Sequence, residues 1–287
     1  MELLSRSNLM KNLSLFFNKE SNIQPQFSIS ENILLLGVEK KFLPDYLLYI
    51  HSNIQVWHKI FVIDHPSCST DENVKFCDIS QLLNNKYTLH VYSEDPDPSS
   101  VITERSEFLP IGLPSRGIEN SELWIAIAKK SLPLEERKKK ACISFFPRDY
   151  PDGFNKQNRL SAGISARRTD SGMEAIANIA PWSVERQINF ITELSKYAFV
   201  ICPTGKGLDT HRLWEALLMG CIPIVETSQL DPLYQKFPIV IVKNWDEVTE
   251  ENLEKWLTIY AKKFWTPHGE VEPYLTADYW STKNVMH

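Results

Sequence analysis

The sequence predicts an α/β protein of two Rossmann-like domains with a cleft between them, and three observations carry that expectation. Short apolar runs recur along the chain: ILLLGV at 33–38, KIFVI at 59–63, TLHVY at 88–92, FVIC at 199–202 and PIVIV at 238–242. Such runs are the mark of strands buried on both faces of a parallel sheet. Helical patterns lie between them, which makes the runs βαβ units. The third observation is size. The chain has 287 residues, 43% hydrophobic and 23% charged, enough for two domains that each bury a core.

Taken in order, residues 1 to about 30 are polar and mixed, and read as a short amphipathic helix around Leu9 to Phe17 or as irregular chain. Ile33–Val38 is a strand followed by Glu39, and a helix is expected over Leu43–Ile50. Lys59–Ile63 is a strand ending at Asp64-His65-Pro66, and Thr88–Tyr92 one ending at Ser93-Glu94-Asp95. Open α/β sheets bind ligands beyond the carboxyl ends of their strands. Asp64 and His65 are therefore candidates for a general base. A turn capped by Asp64 is the structural alternative. Asp71, Glu94 and Asp95 are rivals. Phe108–Leu113 reads as a strand, and Arg116 in the following turn can reach an acceptor or simply be solvated. Glu119–Lys130 is a helix started by Asn120 or Ser121. Ser131–Leu134 breaks the pattern, so the domains are expected at 1–133 and 134–257, with the tail 258–287 packing back on the first.

In the second domain, Arg137–Lys140 reads as a solvated helix end or linker leading into a strand over Ala141–Phe146. Arg148 follows at the carboxyl edge, placed for a phosphate or for a surface pair with Asp149 or Asp152. Gln157–Arg168 is a helix with Arg159, Arg167 and Arg168 outward, and Val184–Lys196 is a second helix. Asp231–Tyr234 is a turn, and Asp246–Phe264 a helix with Trp256 and Tyr260 on its apolar side.

The most informative stretch is Phe199–Glu226. A strand ends at Cys202-Pro203, and Thr204-Gly205-Lys206-Gly207 is a loop in which two residues lack a Cβ and so can approach a ligand closely. Asp209 or Thr210 caps the next helix, Gly220 ends it, and Ile222–Val225 is the following strand. Backbone N–H groups and the positive dipole end gather at that helix start, which suits an anion. Lys206 and Arg212 add charge, and Arg212 and Glu215, three apart, share a face. Guanidinium to diphosphate and carboxylate to ribose would fit a nucleotide. An exposed ion pair worth about 0.3–0.5 kcal/mol is the bland alternative. A second reading also stands: Gly205-x-Gly207-x-x-Thr210 with Glu226 beyond it mimics a dinucleotide fingerprint, although Thr holds the third small position. That would make the chain an NAD(P)-dependent oxidoreductase.

Charge and composition exclude other classes. A net charge of −5 argues against a nucleic-acid partner. Five scattered cysteines without a CxxC pair read as reduced thiols, which together with a poor signal sequence points to a cytoplasmic protein. No run of about 18 apolar residues predicts a membrane span. His211 and Glu215 have the spacing of two metal ligands but lack a third nearby, so no metal is expected.

The residues Cys202-Pro203, Gly205, Asp209-Thr210, Arg212, Glu215-Ala216-Leu217, Gly220 and Ile222-Pro223, continued by Asp231-Pro232-Leu233, resemble the signature of exostosin-type glycosyltransferases. The likeness covers roughly 140–257. It implies a GT-B fold of two Rossmann-like domains, with donor binding in the second and no required metal or other cofactor. Carried over, Arg212 would hold the diphosphate and Glu215 the ribose, with Gly205, Lys206 and Gly207 beside the phosphates. The implied donor is a UDP-sugar, with UDP-xylose first, and the implied acceptor an oligosaccharide or glycoprotein glycan. Full-length family members are larger and anchored in the secretory pathway, so the chain resembles the compact members of microbes and large viruses. A non-catalytic nucleotide- or sugar-binding module is the remaining alternative.

Overall fold

The computed structural model describes residues 1–13, 15–17, 33–39, 42–43, 46–47, 54–63, 79–94, 103–114, 120–145, 156–176, 183–205, 207–264 and 272–282. It is an α/β protein with two all-parallel sheets, each of five strands. Contacts divide the chain into two units, Arg6–Ile111 with Ala277–His287, and Met1–Ser5 with Gly112–Thr276. The division falls after Ile111 rather than at the expected 133/134. Of the expected returning tail, only 277–287 groups with the first unit, while 258–276 belongs to the second.

The first unit begins with α1 (Arg6–Lys11) and β1 (Leu15–Phe17), followed by β2 (Leu34–Glu39), β3 (His58–Ile63), β4 (Thr88–Ser93) and β5 (Ser106–Phe108). The strands pair in chain order, β1-β2-β3-β4-β5. The expected helix over Leu9–Phe17 is thus a helix and then a strand, because Leu15–Phe17 pairs with Leu36–Val38. Central β3 is buried along its whole length, the apolar residues 60–63 as a parallel strand requires and His58 and Lys59 with them. Leu36, Val38, Ile60, Val62 and Val91 form the core of one face. The strand expected over Phe108–Leu113 comes earlier, as β5.

The second unit holds α2 (Ser121–Ala128), β6 (Lys138–Ile143), α3 (Lys156–Ser165), β7 (Met173–Ala175), α4 (Val184–Leu194), β8 (Tyr197–Ile201), α5 (His211–Leu218), β9 (Ile222–Glu226), α6 (Asp231–Tyr234), β10 (Val240–Val242) and α7 (Glu250–Phe264). Asn120 caps α2 by accepting from the N–H groups of Glu122 and Leu123. The basic run is not a linker: Lys138–Lys140 opens β6, and Arg137 is buried, only 4% exposed. Its guanidinium donates to the Leu132 and Met219 carbonyls at 2.7 and 2.8 Å and to Cys221 Sγ at 3.2 Å. Edge strand β7 has no counterpart in the sequence expectation. The chain ends its described part with α8 (Ala277–Thr282), packed on α1 in the first unit.

The second sheet runs β10-β9-β8-β6-β7. From β6 the chain steps one way to β7, then crosses back to β8 on the other side. Strand order therefore reverses between β6 and β8, and the carboxyl ends of those two strands flank the crevice where open α/β sheets take their ligands. On one face, Ala141, Ile143, Phe199 and Ile201 pack with Ala162 of α3 and Leu253 of α7. Strand alternation sends Cys142, Val200 and Cys202 to the other face.

Candidate functional site

The loop after β8 lies at this reversal. Cys202 N–H still bonds Ile224 O at 2.9 Å, extending the ladder one residue before Pro203 ends it. Gly205 N–H then bonds Gly207 O at 3.0 Å. Asp209 sets the loop against α5. Its carboxylate accepts from Thr210 N–H at 2.8 Å, from Trp214 Nε1 at 2.9 Å and from Tyr234 OH at 3.2 Å. Those oxygens are taken up inside the protein, so what Asp209 offers a ligand is the position of the loop. Thr210 is the N-cap of α5 but makes no side-chain capping bond. His211 Nδ1 donates to the Gly112 carbonyl at 2.7 Å, which fixes the proton on that nitrogen, since a carbonyl can only accept.

Arg212 and Glu215 form a pair at 2.8 Å, with side chains 24% and 8% exposed. This is a desolvated pair, not the exposed one whose worth would be small. The Arg212 guanidinium also lies 4.0 Å over the Phe190 ring of α4. Burial pushes the Glu215 carboxyl above its ordinary range, and Arg212 and a hydrogen bond from Gln187 pull the other way. Glu215 thus holds Arg212 in place from beneath. Burial also raises the thiols of Cys202 and Cys142, the latter to about 12, so both stay protonated.

The α3 side of the crevice is one the sequence expectation missed. Asn158 Oδ1 accepts from Thr204 N–H at 3.2 Å, while its Nδ2 donates to Glu226 at the end of β9. Arg159, expected to point outward, instead donates from Nε to the Thr204 carbonyl at 3.2 Å. Glu226 is half-buried, and that burial raises its carboxyl above the ordinary value. Ser144 Oγ, just past β6, and Thr204 Oγ1, just past β8, are buried without a hydrogen-bond partner among the described residues. Alternation puts Ser144 on the face of Cys142, whose thiol feels the Arg212 charge. The link from α3 to the loop spans 45 residues, so no local spacing could signal it.

The structure brings Gly205, Gly207, Asp209, Thr210, Arg212 and Glu215 together after β8. Asp64, His65, Arg116, Arg148 and Lys206 lie outside the described residues. Among the described residues no group of three or more His, Cys, Asp or Glu is placed to hold a metal, and no helix is long and apolar enough to cross a membrane. A groove of about 610 Å³ beside β7 is lined by Lys138, Glu174, Asn189 and Tyr197 among others. Its Lys138, Glu174 and Tyr197 satisfy one another at 2.6–3.1 Å. No protein-family model matches the chain, and no curated protein matches it.

Proposed function

We propose that the chain is an inverting, metal-independent glycosyltransferase of GT-B arrangement, moving a sugar from a UDP-sugar to a glycan hydroxyl. The observation that carries this reading is Arg212, held by Glu215 and Phe190 in the first turn of α5 where the strand order reverses. In the proposed step a base takes the acceptor proton and the acceptor oxygen bonds the anomeric carbon. The bond to UDP breaks, and its electron pair leaves on a phosphate oxygen. Arg212 and the amino end of α5 stabilise that growing charge, with Lys206 and Arg148 as further cations. Glu215 orients Arg212 and borders the ribose, and Asp64 or His65 supplies the base. Arg116 is assigned to the acceptor.

The test is sugar transfer from UDP-xylose, UDP-galactose and UDP-glucuronate by wild type and Arg212→Ala. Losing one such donor costs about 10²–10³ in kcat. Transfer retained within a factor of a few in Arg212→Ala would remove the charge-cradle assignment.

Glu226 supports a second reading. It stands at the end of the strand after the glycine loop, where a dinucleotide-binding acid stands. A rise in melting temperature with NAD or NADP, and none with UDP, would make the oxidoreductase reading the better one.

A further inference from the structure

Arg159 is a second cation at this crevice, and it comes from a different helix than Arg212. Besides its bond to Thr204 O at 3.2 Å, it crowds the glycine loop. A Cβ on Gly205 would lie 3.0 Å from Arg159 Nη2 and 3.7 Å from Thr210 Cγ2. The methyl group that Gly205 lacks is therefore the space through which this guanidinium comes up to the N-cap of α5. A guanidinium beside the positive end of a helix makes that place favourable for an anion. An independent feature lies at the carboxyl ends of the two strands that flank the crevice. The hydroxyls of Ser144 and Thr204, just past the ends of β6 and β8, are buried without a hydrogen-bond partner among the described residues, and Ser144 is 4% exposed. Buried hydroxyls are ordinarily bonded, and a ligand oxygen would complete them.

We infer that Arg159 binds a phosphate group from the α3 side, so that the anion site is two-sided and fitted to a diphosphate rather than a monophosphate. The Ser144 and Thr204 hydroxyls donate to the same group. A Cβ at Gly205 would press on Arg159 Nη2 at 3.0 Å, so the guanidinium would have to shift by a few tenths of an ångström. The inference rests on the nucleotide-sugar reading for what the diphosphate is attached to, not for the anion site itself.

The experiment is titration calorimetry with UDP, UMP and inorganic pyrophosphate on wild type, Arg159→Ala, Arg159→Lys, Gly205→Ala and the double variant Gly205→Ala/Arg159→Ala. Melting temperatures confirm that each variant is folded. Loss of a charged hydrogen-bonding partner weakens binding about 10- to 100-fold. That loss is expected for UDP and pyrophosphate in Arg159→Ala, with a much smaller change for UMP. Arg159→Lys, which keeps the charge but not the fork, should fall between. Gly205→Ala should weaken UDP alone but add little in the Arg159→Ala background, because both changes remove the same contact. A merely structural role would lower UMP and UDP affinity alike and would overturn the inference. UDP affinity unchanged in Arg159→Ala would also overturn it, while leaving the nucleotide reading intact. Pyrophosphate bound through Arg159 without any UDP binding would support the inference and sink the nucleotide reading. Binding of neither would sink both.

Discussion

At the residue scale, burial decides what each carboxylate of the site can do. Glu215, three residues from Arg212, was legible as its partner from spacing, but not as a buried one. Gln187 of α4 hydrogen-bonds it, and Phe190 of α4 stacks on its partner Arg212. Arg159 and Asn158 carried no local signal, because their partners lie in other elements. Glu226 has a measurable consequence. Burial raises its folded-state pKa above the ordinary glutamate value, so the folded protein holds that proton more tightly than the unfolded chain. The stability contribution is full below the ordinary value and is lost as pH rises through the raised one. Glu226→Gln removes this loss. Its melting temperature should match wild type near about pH 4 and exceed it near about pH 7. A difference that does not change with pH would contradict this cause. Glu215 titrates in the same direction and leaves a residual slope in both proteins.

At the element scale, β6 shows how a charge pattern can mislead. Arg137-Lys138-Lys139-Lys140 reads as solvent-facing, yet β6 pairs with β8 from Lys138 onward and Arg137 is buried behind it. The guanidinium is retained because two carbonyls and a thiol receive it. Arg137→Met leaves the Leu132 and Met219 carbonyls without that donor, at about 1–3 kcal/mol for each buried acceptor. Urea unfolding should show that loss, whereas Lys139→Met, at an exposed position, should stay within about 0.5 kcal/mol. If the two variants are equally stable, Arg137 is not the anchor of this strand. Strands β1 and β7 were illegible for a different reason. Three residues are too few for a period to show, and they are strands only because a neighbour offers its backbone. Central β3 and β8 were legible because burial on both faces favours the apolar runs at 60–63 and 199–201.

At the scale of the whole molecule, the chain passes between its two units after Ser5, Ile111 and Thr276. Within the second unit, Leu4 N–H bonds Leu275 O at 2.6 Å and Leu113 N–H bonds Leu4 O at 2.8 Å, so the segments next to all three passages are tied together. The first unit is completed by the far end of the chain. Trp280 of α8 is fully buried, and Asn12 donates to Asp278 at 3.0 Å. Removing 277–287 should therefore loosen the first unit alone. Hydrogen exchange should lose protection over β2, β3 and β4 and keep it over β6 and β8. Equal loss in both units would show that they do not unfold separately. The sequence by itself determined the α/β class, the central strands, and the strand–glycine loop–helix–strand unit with Arg212 and Glu215. Each of these is written in adjacent residues, as an apolar run, a helical spacing or a missing Cβ. Only the tertiary structure decided the order β10-β9-β8-β6-β7 that puts the glycine loop at the reversal, the approach of α3 to that loop, and the passage after Ile111. These depend on which distant segments pack together, and global burial makes that choice.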